Sequence, residues 1–224
     1  MITARTTVHL RSRLHHFALL LAFVFIAAGC GVSRPVHYYV LNPAGNSAPA
    51  PALASGSPRF PIRLLVARVL SSHLYRDDRL VFGSGSVELG TFEYQRWAEP
   101  PAEMIQDALI TILQSTGDYR SVSAIGSAVR GEYILRSQLN SLDEVDKPEI
   151  TARFSISMEL FDPRTGSTVW RDSYSHDEPV SGKTVANVVE ALDRNVHSGL
   201  QQLAMALGQY FMDHPPHPPV SPNP

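Results

Sequence analysis

The chain has 224 residues, 44% hydrophobic and 18% charged, with a formal net charge of −2. That balance fits a globular protein of domain size and offers a polyanion such as nucleic acid no basic field to bind. Its single cysteine, Cys30, rules out an internal disulfide.

Residues 1–29 carry Arg5, Arg11 and Arg13 and no acidic side chain, then an apolar run from Phe17 to Ala28. About a dozen apolar residues suit a signal-peptide core, whereas a bilayer span needs about 20. The stretch Ala27-Ala28-Gly29-Cys30 resembles the bacterial lipobox, with alanine in the place leucine usually takes. The resemblance implies a removed signal peptide over 1–29 and a Cys30 that carries a diacylglycerol thioether and an N-acyl chain such as palmitate. Several acyl chains anchor stably where one does not. Gly31 follows the cysteine, and by resemblance to lipoprotein sorting signals this implies the outer membrane of a Gram-negative bacterium, with the domain facing the periplasm. The chain without its leader is mildly acidic, because only basic charge is lost.

After a short tether, His37–Leu41 reads as a strand rich in β-formers, and Asn42–Pro61 as a loop dense in Pro, Ala, Gly and Ser. The lipidated start, first strand and loop thus occupy 30–61, and the main domain 62–212 is continuous with the 37–41 strand. Ile62–Leu70 is an apolar run of strand length. Arg79–Phe82 and Ser86–Tyr94 read as two strands around Gly83-Ser84-Gly85, a hairpin or bulge signal. Trp97-Ala98-Glu99-Pro100-Pro101 opens a helix in which Ile105, Ala108, Leu109, Ile112 and Leu113 share one face, with Gly117 at its C-terminal end.

Tyr133, Leu135 and Leu139 alternate with Arg136, Gln138 and Asn140. Ala152 to Leu160 alternates more regularly still, as a half-buried antiparallel strand does. Asp162-Pro163-Arg164-Thr165-Gly166 is a turn, and Thr168–His176 returns as the partner strand. From Thr184 to Phe211, Val185, Val188, Val189, Leu192, Val196, Leu200, Leu203 and Leu207 form a long helical stripe. The Pro- and His-rich tail 213–224 cannot build helix or sheet. This order predicts a single two-layer α+β domain, an antiparallel or mixed sheet with two main helices on it.

The chemistry-bearing residues do not assemble into an enzyme motif. Gly83-Ser84-Gly85 lacks the third glycine of a dinucleotide loop, with Glu88 in its place. No nucleophile elbow or P-loop occurs, and an acylated Cys30 is no nucleophile. His214 and His217 lack a third metal ligand, so no metal site is expected. His176-Asp177-Glu178 could supply a base and a carboxylate, but beside Pro179 it reads as an exposed turn. Asp77-Asp78 and Asp143-Glu144-Asp146 read as solvated loops, with divalent-cation binding the other option. No catalytic residue and no cofactor is expected. Trp97 and Trp170, each beside an arginine (Arg96, Arg171), allow cation–π stacking and serve either as packing residues or as interface anchors.

Tyr38-Tyr39-Val40-Leu41 shortly after the lipobox, Arg96-Trp97-Ala98 before an amphipathic helix, and Phe154–Pro163 followed by Arg164-Thr165-Gly166 and Val169-Trp170 together resemble the ABC-type transport auxiliary lipoproteins, the PqiC-like family. The resemblance runs from Cys30 to about Phe211. It implies a compact α/β fold and a non-enzymatic component of an MCE-type lipid transport system, meeting the periplasm-spanning MCE protein at the outer membrane and supporting membrane integrity. The partners it implies are an MCE-domain protein, an ABC or PqiA-like permease and outer-membrane lipids. A tube end further suggests a homo-oligomeric ring. Tyr38, Tyr39, Trp97 and Trp170 are the candidate interface residues. A lipid-binding carrier, enclosing an apolar cavity, is the alternative; an envelope hydrolase would need a nucleophile–base pair that the sequence lacks.

Overall fold

The regular alternation of residues 151–160 carries through to the computed structural model. There every second side chain of a strand at Thr151–Asp162 is buried, from Ala152 to Asp162. Residues 34–42, 57–84, 88–126, 130–146 and 148–216 are described. The described residues from Val36 onward belong to one compact unit, and the leader and Cys30 lie outside the described residues.

In chain order the strands are β1 (His37–Tyr39), β2 (Phe60–Val66), β3 (Leu70–Ser71), β4 (Arg79–Ser84), β5 (Glu88–Trp97), β6 (Tyr119–Ala124), β7 (Tyr133–Val145), β8 (Thr151–Asp162) and β9 (Ser167–Pro179). Helix α1 is Pro101–Ser115 and helix α2 is Val185–Asp213, with a 3-10 turn at His73–Tyr75. The nine strands form one mixed sheet. Its hub is β7. One edge of β7 pairs antiparallel with β8, which pairs antiparallel with β9. The other edge takes three parallel partners in succession: β2 at Tyr133–Leu135, β3 at Gln138–Leu139 and β4 at Asp143–Val145. From there the sheet forks, with β6 beside β2, and β5 then β1 beside β4.

The expected α+β architecture forms, with several boundaries moved. Ile62–Leu70 is not one strand: the chain leaves the sheet after Val66 and rejoins the same edge of β7 at Leu70. The 79–94 hairpin is present as the antiparallel pair β4–β5, its tip at 85–87 outside the described residues. β5 continues through Trp97, so the helix opens at Pro101 and not at Trp97; proline fits a first helical turn because its missing N–H would find no partner there. β6 appears in a stretch read as no element. With only Tyr119 and Val122 buried, it shows too little alternation to be recognised. β9 extends to Pro179 and takes in His176-Asp177-Glu178, the expected turn. The helix reaches Asp213, one residue into the expected tail, of which 217–224 lie outside the described residues, as do 43–56 of the expected loop.

Local chemistry explains the ends. Thr184 and Asn187 form a reciprocal capping box at the start of α2. Gly117 follows α1 with φ +67°, and Gly166 closes the 162–166 turn with φ +70°, its N–H on the Asp162 carbonyl at 2.9 Å. The stripes of α1 and α2 are buried against the sheet as the periodicity requires, apart from a partly exposed Val185. Phe211 fixes the last turn of α2, its ring 5.4 Å from Phe60 and 5.2 Å from Tyr133. β1 is tied in by pairing with β5 and by the Leu41 N–H on Met104 Sδ at 3.4 Å.

Candidate docking surfaces

Helix α2 covers one face of β7–β8–β9 and leaves the other open. Because side chains alternate along a strand, the register places four rows across that open face. Arg136, Glu159 and Arg171 form the first; Gln138, Ser157 and Ser173 the second; Ser141, Ser155 and Ser175 the third; Asp143, Arg153 and Asp177 the fourth. The end rows alternate in charge. Glu159 sits between Arg136 at 3.3 Å and Arg171 at 3.4 Å. Burial pushes its carboxyl up, but hydrogen bonds from the two arginines outweigh this and hold it below the usual carboxylate range. Arg153 grips Asp177 with two hydrogen bonds of 2.8 and 2.9 Å, which keep Asp177 low as well. Between these rows lies a serine-rich strip where Asn140 donates to Ser157 at 2.7 Å.

A concavity of about 670 Å³ opens around the first two rows, bordered by Leu70, Arg136, Gln138, Glu159, Arg171 and Ser173. Its wall combines the paired guanidinium and carboxylate groups and the serine hydroxyls with aliphatic surface from Leu70 and Met158.

Asp143 ends the fourth row under the 3-10 turn, where Tyr75 Oη donates to it at 2.8 Å. Burial dominates and raises the Asp143 pKa, although the Tyr75 hydrogen bond and Arg153 pull it down. Burial also raises the Tyr75 phenol. A carboxyl whose folded pKa is raised stabilises the fold in its protonated form, and that contribution is lost as pH climbs through the folded value. Asp143→Asn keeps an oxygen for Tyr75 and removes the buried charge. It is expected to match or exceed the parent in urea stability at neutral pH, with the difference vanishing as pH falls below about 4, the ordinary aspartate range. A variant clearly weaker at neutral pH would show that the charge itself is needed.

The other sequence candidates are dispersed. His176 lies 3.5 Å from Glu178, while Asp177, on the opposite face, is held by Arg153; the triplet does not converge on one reacting atom. His214 stacks on Tyr210 at 4.6 Å and His217 lies outside the described residues. Asp78 binds Arg96 at 2.8 Å. Among the described residues no group of three or more His, Cys, Asp or Glu is placed to hold a metal.

Of the four aromatic candidates, Trp97 is corrected: at 1% exposure it is a core residue with no surface to offer. Neither tryptophan stacks on its neighbouring arginine, because adjacent strand residues point to opposite faces. Arg96 turns to Asp78 and Arg171 to Glu159, while Arg136 lies over the Phe161 ring at 4.0 Å. Tyr39 and Trp170 are half-buried against the core. Tyr38 stands out at 64% exposure. What the sequence reading missed is the long outer edge of β9, which among the described residues pairs only with β8, a row of backbone groups of the kind that accepts a further strand.

A family model described as the ABC-type transport auxiliary lipoprotein component matches residues 39–204. The chain belongs to this family. As a family member it is a lipoprotein of transport systems, and among its described residues no helix is long and apolar enough to cross a membrane. No curated protein matches it. A crystal structure of a Xanthomonas campestris protein of family DUF330 is similar, with a TM-score of 0.68 and 19% identity, covering 80% of this chain and 99% of that one. An uncharacterized protein of known structure gives a TM-score of 0.59 at 13% identity, covering 78% and 99%. At such identities the likeness is one of fold.

Proposed function

We propose that this family member is the non-enzymatic outer-membrane component of an ABC/MCE-type lipid transport system. It docks the periplasm-spanning MCE protein at the outer membrane and so supports membrane integrity. The observation that carries the proposal is the family match across residues 39–204, from the first strand into the last helix. Cys30 holds the domain to the outer membrane through its diacylglycerol and N-acyl chains, the domain faces the periplasm, and a ring of identical subunits receives the tube end. An ABC or PqiA-like permease completes the system from the inner membrane.

The surfaces described above support this reading. A polar, ion-paired sheet face and a long strand edge are means of gripping another protein, through side-chain charge and through main-chain hydrogen bonds. The test is affinity capture of the tagged lipoprotein from cells extracted in mild detergent. Recovery of an MCE-domain protein is the expected result; its clean absence under conditions that preserve other envelope complexes overturns the proposal.

A further inference from the structure

The chain just after the anchor carries an apolar stripe that the fold leaves uncovered. In β1 and its flanks, Leu41 is buried and Tyr39 packs on the core, while Val36, Tyr38 and Val40 are 40%, 64% and 61% exposed. Three of the nine exposed large hydrophobic residues among those described thus fall within five positions. Such a concentration marks a contact surface, whereas the others occur singly or in pairs. Side-chain rows extend it. Tyr38 is paired with Arg96 of β5, and Arg96 with Arg79 of β4, so the three lie across one face. Asp78 neutralises Arg96. Arg79 is exposed and makes no ion pair among the described residues, which leaves one positive charge two strands, about 10 Å, from the tyrosine on the same face.

We infer that this β1 face, through Tyr38 and Val40 with Arg79 two strands away on the same face, seats the domain against the headgroup layer of the membrane that holds Cys30. The inference rests on the lipid-anchor reading and adds an orientation to it. Five residues separate Cys30 from Val36, so a taut chain of six Cα steps reaches about 20 Å. An apolar and aromatic stripe held that close to the bilayer meets lipid more readily than any soluble partner. A phenol at the interface keeps its hydroxyl in water and its ring among acyl chains, and a guanidinium on the same face matches anionic lipid phosphates.

Because Cys30 is the only cysteine, an acylated chain has no free thiol, and a second cysteine is a unique labelling site. Tyr38→Cys, Val40→Cys and the controls Ser175→Cys and Met205→Cys are labelled with an environment-sensitive fluorophore. Each lipidated protein is then placed in phosphatidylethanolamine–phosphatidylglycerol vesicles with or without quencher-bearing lipid. Labels at 38 and 40 are expected to lose about half or more of their emission to the lipid quencher, and those at 175 and 205 less than about a tenth. Equal quenching at all four sites overturns the inference. So does a blue-shifted but unquenched label at 38, which would mean that protein covers the stripe. Uptake of label by the unsubstituted chain would show a free Cys30 thiol and overturn the anchor itself, a failure distinct from the other two.

Discussion

Asn195→Ala is expected to lower the unfolding free energy by about 2–3 kcal/mol, the cost of leaving buried polar groups without partners. Asn195 is 1% exposed on the sheet-facing side of α2. Its Nδ2 donates to the Ala152 carbonyl at 2.8 Å and the His176 carbonyl at 2.9 Å, and its Oδ1 accepts from Tyr174 Oη at 2.9 Å. One amide therefore pins the helix to β8 and β9 at once. Alanine forfeits all three bonds and opens a small void. Urea unfolding checks it, with an unchanged slope showing that only stability moved. Asn195→Asp isolates the donor: an ionised carboxylate accepts from Tyr174 but repels both carbonyls. It should unfold more easily than the alanine variant at neutral pH and recover as acid returns a proton to donate. Burial raises the new carboxyl's pKa, so the charged form is the costly one and stability rises as pH falls. Glu190→Ala, at an exposed position of the same helix, should change stability by less than about 0.5 kcal/mol.

Asn195 also shows where reading the sequence stops. The stripe of α2 is legible because Val188, Leu192, Val196, Leu200, Leu203 and Leu207 announce themselves as apolar, and all are buried. Asn195 and Gly199 occupy positions on the same buried stripe, yet neither residue type signals burial. The available clue is positional, a polar or side-chain-free residue flanked at three- and four-residue spacing by buried aliphatics. β8 was legible for the complementary reason, since one solvated face imposes strict alternation on its sequence. β6 was not: inserted beside β2 with two buried side chains, it is stabilised by its neighbours more than by its own pattern.

The candidate surfaces follow the same division. The sequence places Arg136, Glu159, Arg171, Arg153 and Asp177 on strands, but the rows they form depend on the register between strands. Register is a long-range property set by turns and bulges, among them the irregularity between Leu139 and Ser141. Trp97 failed as an interface residue because a tryptophan before a helix reads alike whether it faces solvent or core. The pairing of Tyr39 with Trp97 decides it, by setting the indole on the core-facing side of the sheet next to Tyr39.

Gly199→Ala is the second large effect, and its sign runs against helix propensity. In an open helix interior, alanine in place of glycine stabilises by about 1 kcal/mol. Here a Cβ at 199 would lie 2.5 Å from Tyr174 Cδ1, 2.7 Å from Tyr174 Cε1 and 3.0 Å from Phe154 Cε1. Phe154 is wholly buried and Tyr174 is tethered through its hydroxyl to Asn195, so neither ring yields freely. Overpacking costs about 1–3 kcal/mol, and contacts this short to two rings belong in the upper part of that range, about 2–3 kcal/mol, which leaves Gly199→Ala net destabilising by about 1–2 kcal/mol. Removing the obstructing ring should reverse the sign: in a Tyr174→Ala background the same Gly199→Ala change is expected to raise stability by a few tenths to about 1 kcal/mol. Thermal or urea unfolding of the four proteins in this cycle measures the coupling. Stabilisation by Gly199→Ala in the parent chain would mean that α2 does not approach β8 and β9 closely at this point. A destabilisation that persisted without the Tyr174 ring would place the obstruction at Phe154.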